Sequence, residues 1–222
     1  MKNELLESRV IETDLSDSSK WPVLETNGVA VQNLNVASSS LFETSILKLA
    51  PGAQLPKFDP NWGVELFVLS GTLKLPEGPL EAGGYLRRPQ IHVGENSTET
   101  GCIVFLRTGP FSESDTELVH LQSDDQPWLP GQGGLRVKPL HSFEGESTAL
   151  VHWPAGERFA PHQHWGGEEI FVLSGTFEDE HGRYPEGTWM RSPHLSSHFP
   201  FVTEETVILV KTGHMHPANF TE

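Results

Sequence analysis

From Gly156 the chain reads GERFAPHQHWGGEEIFVLSG, and two histidines, His162 and His164, stand two residues apart in a stretch with strand character. Successive side chains of a strand point to opposite faces, so a spacing of two puts both imidazoles on one face. Glu168 follows four residues later at the head of EEIFVLSG, with Glu169 beside it, and His198 comes thirty residues further on, behind the turn-rich SPHLSS. Three imidazoles and one carboxylate converging from three strands suit a divalent transition metal. Imidazole favours zinc, iron, nickel and copper, and carboxylate favours harder ions such as manganese. Thiolate zinc sites and intrachain disulfides are excluded because Cys102 is the only cysteine, so His and carboxylate must do the ligating. Parity leaves the carboxylate open: Glu168 alternates with Ile170 and Val172, and Glu169 with Phe171 and Leu173.

Residues this far apart meet only if strands return to one another, and the chain repeats itself in a way that provides for this. Residues 45–109 align with 149–213 at an offset of 104 without a gap, and 15 of these 65 pairs are identical. GVELFVLSGT (Gly63 to Thr72) matches GEEIFVLSGT (Gly167 to Thr176), and Gly52/Gly156, Gly83/Gly187, Pro89/Pro193 and Gly109/Gly213 extend the match. Glycine and proline punctuate turns, so the turn scaffold is duplicated. Short runs rich in Val, Ile, Phe and Thr, such as SILKLA, LFVLSGTL, GCIVFLRT, ALVHW and TVILVK, read as strands between these turns. Helical periodicity is nearly absent, with at most a turn or two around Glu4 to Val10. An all-β chain of two modules is expected, a sandwich or closed barrel in each copy. The first covers 1–114 and the second 115–222, with residues 110–130 read as the connector plus the first strand of the second module. In the first copy Phe58, Pro60, Val64 and Gly94 occupy the places of His162, His164, Glu168 and His198. That copy should keep the scaffold and lack a metal, and His92 would be alone there.

Charge and composition bound the partners. With 30 acidic against 15 basic residues the 222-residue chain carries a formal charge of −15, a field that repels nucleic-acid phosphates. No run of residues has the length and apolarity of a membrane span, and the polar, acidic start does not read as a signal peptide. A cytoplasmic protein that binds neither nucleic acid nor membrane is expected. The other histidines have blander readings: His214 and His216 as a frayed tail, His120, His141, His152 and His181 as solvated or capping groups. Cys102 reads as a buried small hydrophobe. Arg191 and Lys211, which align with the basic residues Arg87 and Arg107 in the other copy, read as structural.

Gly156, His162, His164, Glu168 and Gly175 fit G(x)5HxH(x)3-4E(x)6G, and the second half of the chain thereby resembles the cupin superfamily, whose first motif this is. GTWMRSPHLSSH, from Gly187 to His198, is similar to the second cupin motif without its usual asparagine. The resemblance implies a bicupin of two tandem double-stranded β-helix (jelly-roll) barrels. It prefers Glu168 over Glu169 and His198 over His194. In relatives the stretch from Gly187 to His198 lines the mouth of the barrel, which makes Trp189 a candidate there. GGEEIFVLSGTFEDEHGRYPEGTWMRSPHLSSH is similar throughout to the ChrR family of cupins, in which the cupin half binds zinc through residues that map onto His162, His164, Glu168 and His198. The resemblance implies one divalent transition metal, zinc foremost, with iron, manganese or nickel as alternatives. The implied role is regulatory, in oxidative-stress sensing. The family's namesake anti-sigma factors grip their sigma factor through a helical zinc module needing a His and two Cys, and this sequence has no Cys before 102 and no His before 92. Anti-sigma activity by this chain itself is therefore not expected. The alternative function is a metal-dependent dioxygenase or other oxidoreductase acting on a small organic molecule. The expected partner is a regulatory protein or a small organic ligand, and a homodimer is compatible with the sequence.

Overall fold

A computed structural model describes residues 7–19, 21–22, 28–35, 42–59, 61–89 and 96–216. Its strands, in chain order, are β1 (Arg9–Glu12), β2 (Val29–Asn35), β3 (Glu43–Leu49), β4 (Gly63–Leu73), β5 (Leu80–Glu81), β6 (Gly84–Arg88), β7 (Cys102–Gly109) and β8 (Val119–Gln122). Then come β9 (Leu129–Pro130), β10 (Arg136–Phe143), β11 (Glu146–Trp153), β12 (His162–Gln163), β13 (Glu168–Ser174), β14 (Thr176–Asp179), β15 (Gly182–Pro185), β16 (Thr188–Ser192), β17 (Ser197–His198) and β18 (Thr206–Thr212). The only helical element among the described residues is a 3-10 turn at Ser123–Asp125, as the alternating β-branched and aromatic runs require. The fold is all-β, and no helix among the described residues is long and apolar enough to cross a membrane.

The chain forms two compact units, residues 16–126 and residues 1–15 together with 127–222. In the first unit the main sheet runs β2-β3-β7-β4-β6-β8, with β5 paired to β4; in the second it runs β1-β16-β13-β18-β11-β10-β9, accompanied by the ribbons β12-β17 and β14-β15. Phe177 and Tyr184 of the β14-β15 ribbon pack in one cluster with Ile170, Val172, Met190 and Ile208 of the large sheet. Sheet and ribbons thus enclose a single jelly-roll core. The turn scaffold repeats with the sequence. Register shifts fall between Val68 and Ser70 in β4 and between Val172 and Ser174 in β13. Just beyond each shift stands a positive-φ glycine, Gly71 at 77° and Gly175 at 74°. A Cβ there would collide with the backbone oxygens of Gly101 and Glu205, so only glycine satisfies both the dihedral and the close approach.

Two segments depart from the sequence reading. Arg9 to Glu12 form a strand and not part of a helix, pairing with β16 in the second unit (Arg9 opposite Arg191, Ile11 opposite Trp189). Val119 to Gln122 do not open the second module; they pair with β6 of the first (Tyr85 opposite Leu121). Each unit therefore takes a sheet strand from the segment preceding the other. The two additions are pinned alike, with Arg87 Nη1 donating to Glu117 O at 3.1 Å and Arg191 Nε donating to Glu7 O at 3.3 Å. Arg191 is thus a structural tie, as its repeated type suggested. Lys211 likewise reaches Thr148 Oγ1 at 3.2 Å. Cys102 is buried as expected, and burial pushes its thiol up to about 11.

Candidate metal centre

The ribbon β12-β17 builds the first half of the site. His162 stands directly opposite His198, and the pairing continues as His164 N donates to Ser196 O at 2.9 Å and Leu195 N to His164 O at 2.9 Å. Leu195 closes the turn with φ at 64°, a left-handed conformation that a leucine rarely adopts. The two-residue spacing then brings His164 onto the same face as His162. The three rings meet edge to face at centroid distances of 4.8 Å (His162–His164), 4.9 Å (His162–His198) and 4.7 Å (His164–His198). One ring nitrogen from each lies within 4.8 Å of the others.

The large sheet supplies the carboxylate. Glu168 heads β13 with the parity of Ile170 and Val172, both in the barrel core, so it points inward. Its Oε2 lies 3.6 Å from His164 Nε2 and 3.8 Å from His198 Nε2. Glu169 takes the other face, where its Oε2 is 3.2 Å from His214 Nε2. His194 is turned away: its Nδ1 accepts the Gly166 amide at 2.8 Å, and its ring packs on Trp165 and His216. The structure therefore gathers His162, His164, Glu168 and His198 into one cluster and leaves Glu169 and His194 out. Phe159 lies 4.9 Å from the His162 ring and Phe177 6.1 Å from the His198 ring, so aromatic rings flank the cluster.

The His triad could hold a cation. His164 Nε2 and Glu168 Oε2 are buried without a hydrogen-bond partner, and a buried polar atom left unsatisfied costs about 1–3 kcal/mol. Burial, with His198 and His162 adding to it, pushes His164 down to about 3, and burial also lowers His162. Burial pushes Glu168 up to about 7, against the pull of His198 and with the help of Asp179. Three imidazoles and one carboxylate converging at a largely buried site match the donor inventory of a zinc, iron, manganese or nickel ion.

These shifts give a pH expectation. The imidazole of His164 is already free of its proton at neutral pH, whereas burial holds a proton on Glu168 that competes with a cation. Below about pH 7 a metal must displace that proton, and affinity should fall by at least about tenfold per pH unit. Competition titrations with a chromophoric chelator between pH 5.5 and 8 check this, and a flat profile would contradict ligation by Glu168.

Asp179, at the end of β14, completes the surroundings, and the sequence reading gave it no role. Its Oδ2 lies 3.3 Å from His198 Nδ1, while its Oδ1 accepts from His181 N at 2.8 Å, Gly182 N at 3.0 Å and Tyr184 Oη at 2.9 Å. Burial would raise this carboxyl, but the bonds to His198, the His181 amide and Tyr184 outweigh it and hold it below its ordinary value. On the far side, His162 Nδ1 lies 3.1 Å from Ala160 O.

The first unit has nothing comparable among its described residues. Val64 lies in the core cluster with Leu66 and Val68, and Phe58 packs against it. Pro60, His92 and Gly94 lie outside the described residues. Two other expectations are corrected. The tail carrying His214 and His216 is docked, with His214 and Met215 buried and Met215 N donating to Gly166 O at 2.6 Å. Trp189 is fully buried opposite Phe171, on the face of the sheet away from Glu168, and does not line the site.

The family model described as the ChrR cupin-like domain matches residues 9–112 and again 116–216. The chain belongs to the ChrR cupin-like family. Cupin folds also head the structural likenesses. A Pseudomonas aeruginosa protein named as glyoxylate-induced superposes with a TM-score of 0.73 at 16% identity, covering 96% of this chain and 89% of that one. A Nostoc punctiforme protein named as a dioxygenase gives 0.73 at 14%, covering 93% and 82%. An oxalate decarboxylase from Bacillus subtilis, an enzyme with Mn(II) centres, gives 0.62 at 14%, covering 93% and 77%. At these identities the likeness is one of fold. No curated protein matches the sequence. Within the cupin fold, the triad His162, His164 and His198 is a set that could hold a metal ion.

Proposed function

We propose that the second barrel binds one divalent transition metal, zinc by preference, through His162, His164, Glu168 and His198, and that the chain is a ChrR-like regulatory cupin read by a partner protein in response to oxidative stress. The observation that carries this reading is the pair of buried, unbonded atoms, His164 Nε2 and Glu168 Oε2, facing each other at 3.6 Å beside two further imidazoles. Four protein donors can close a zinc ion without water, which suits a site whose occupancy is sensed. Asp179, the nearest further carboxylate, is committed to His198, Tyr184 and two amides and is not placed as a general base.

One observation favours the second reading, an oxidoreductase of the dioxygenase kind acting on a small organic molecule. His162 remains half-buried while the other three donors are buried, so the cluster has an open side. An iron or manganese ion there would keep positions for an exogenous oxygen donor and would polarise it. Metal analysis of protein purified without added metal, with the coordination number from X-ray absorption, separates the two. Four-coordinate zinc, released on exposure to singlet oxygen or peroxide, supports the regulatory reading. Six-coordinate iron or manganese with bound water supports the enzyme.

A further inference from the structure

Asp179 does not belong to the ligand set, yet it determines what His198 can offer. A carboxylate oxygen only accepts, so the contact between Asp179 Oδ2 and His198 Nδ1 requires the hydrogen to sit on Nδ1. The lone pair is then on Nε2, the nitrogen turned toward Glu168. The comparison inside the chain points the same way. At the repeat offset Leu75 and Leu80 replace Asp179 and Tyr184, and both leucines lie in the apolar core of the first barrel. The scaffold glycines and Arg87/Arg191 persist in both copies. The Asp–Tyr pair is present only where the histidines are, as expected of a group that serves them.

We infer that Asp179 is the positioning residue of the metal centre, acting through His198 and held in place by Tyr184 and the amides of His181 and Gly182. The inference rests on the ligand assignment proposed above. The asymmetry of its two oxygens makes a sharp test. In Asp179→Asn the amide oxygen must take the side where three donors converge, which leaves the NH2 group facing His198 Nδ1. That nitrogen must then accept, the hydrogen moves to Nε2, and the ring presents N–H where a ligand lone pair is needed. The substitution changes hardly any volume but reverses the tautomer.

The expected result for Asp179→Asn is zinc affinity weakened by about 10–100-fold, the range typical of lost outer-shell partners, by competition against a chromophoric chelator. In the His198→Ala background the same substitution should cost no more than about twofold, since its route to the metal is gone. Independently of metal, long-range 1H–15N NMR of the metal-free protein should show His198 as the Nδ1–H tautomer in the wild type and as Nε2–H in the variant. Unchanged affinity in Asp179→Asn, a full loss retained in the His198→Ala background, or a wild-type His198 protonated on Nε2 would each overturn the inference. The wild-type spectrum decides even if the variant does not fold. A wild-type chain that binds no zinc but carries the Nδ1–H tautomer would locate the failure in the ligand assignment and would overturn the metal role of Asp179 with it.

Discussion

Metal-loaded wild-type protein is expected to carry one ion per chain, and His198→Ala or His162→Ala to hold it far more weakly. Each imidazole removed leaves three donors and opens a gap in a largely buried site. The affinity loss should exceed the 10–100-fold typical of an outer-shell change. Because an ion that binds only the native state adds RT ln(1 + [L]/Kd) to its stability, about 4 kcal/mol at a thousandfold excess over Kd, the same variants should lose the zinc-dependent rise in melting temperature. Glu169→Gln and His194→Ala should leave occupancy near one, since Glu169 faces His214 and the His194 ring is engaged with Gly166 and Trp165. The first barrel should stay empty. A cation entering it would meet Val64 and Phe58, which offer no lone pairs to replace its hydration. Anomalous scattering at the metal edge checks the assignment, and a strong peak in the first barrel or one coordinated by Glu169 would overturn it.

The second large effect is expected in the first unit, where Arg87 Nη2 lies 2.6 Å from Asp115 Oδ2 with both side chains buried. The guanidinium also bonds Glu117 O and lies 4.5 Å over the Phe111 ring, so it cannot swing into water when its partner is removed. Asp115→Ala therefore leaves a buried charge short of its counter-ion, and breaking such a pair costs about 3–5 kcal/mol. Urea unfolding should show the loss, and the pair replaced together by Met and Leu should cost much less than the two single changes summed. A loss below about 1 kcal/mol for Asp115→Ala would mean that the guanidinium is satisfied without it.

Local periodicity made much of this protein legible. The repeat at 104 shows on laying the chain against itself, and the glycines at 71 and 175 and the His162/His164 pair on one face follow from spacings within a few residues, because strand parity and turn dihedrals are local properties. The cupin and ChrR motifs singled out Glu168 and His198. Long-range pairing settled the rest. Which of Glu168 and Glu169 turns inward depends on which face of β13 the ribbons cover, and either parity satisfies the alternation of the segment itself. Strands β1 and β8 are four residues each, too short to specify a partner, and sheet registry together with the Arg87 and Arg191 ties decided that each joins the other module. Asp179 could not be distinguished from a surface acid by type alone; its role arises only when β14 is brought beside β17 and buries its carboxylate against His198. The tail carrying His214 reads as frayed until the buried Glu169 supplies its partner, a contact 45 residues apart in sequence that no local pattern encodes.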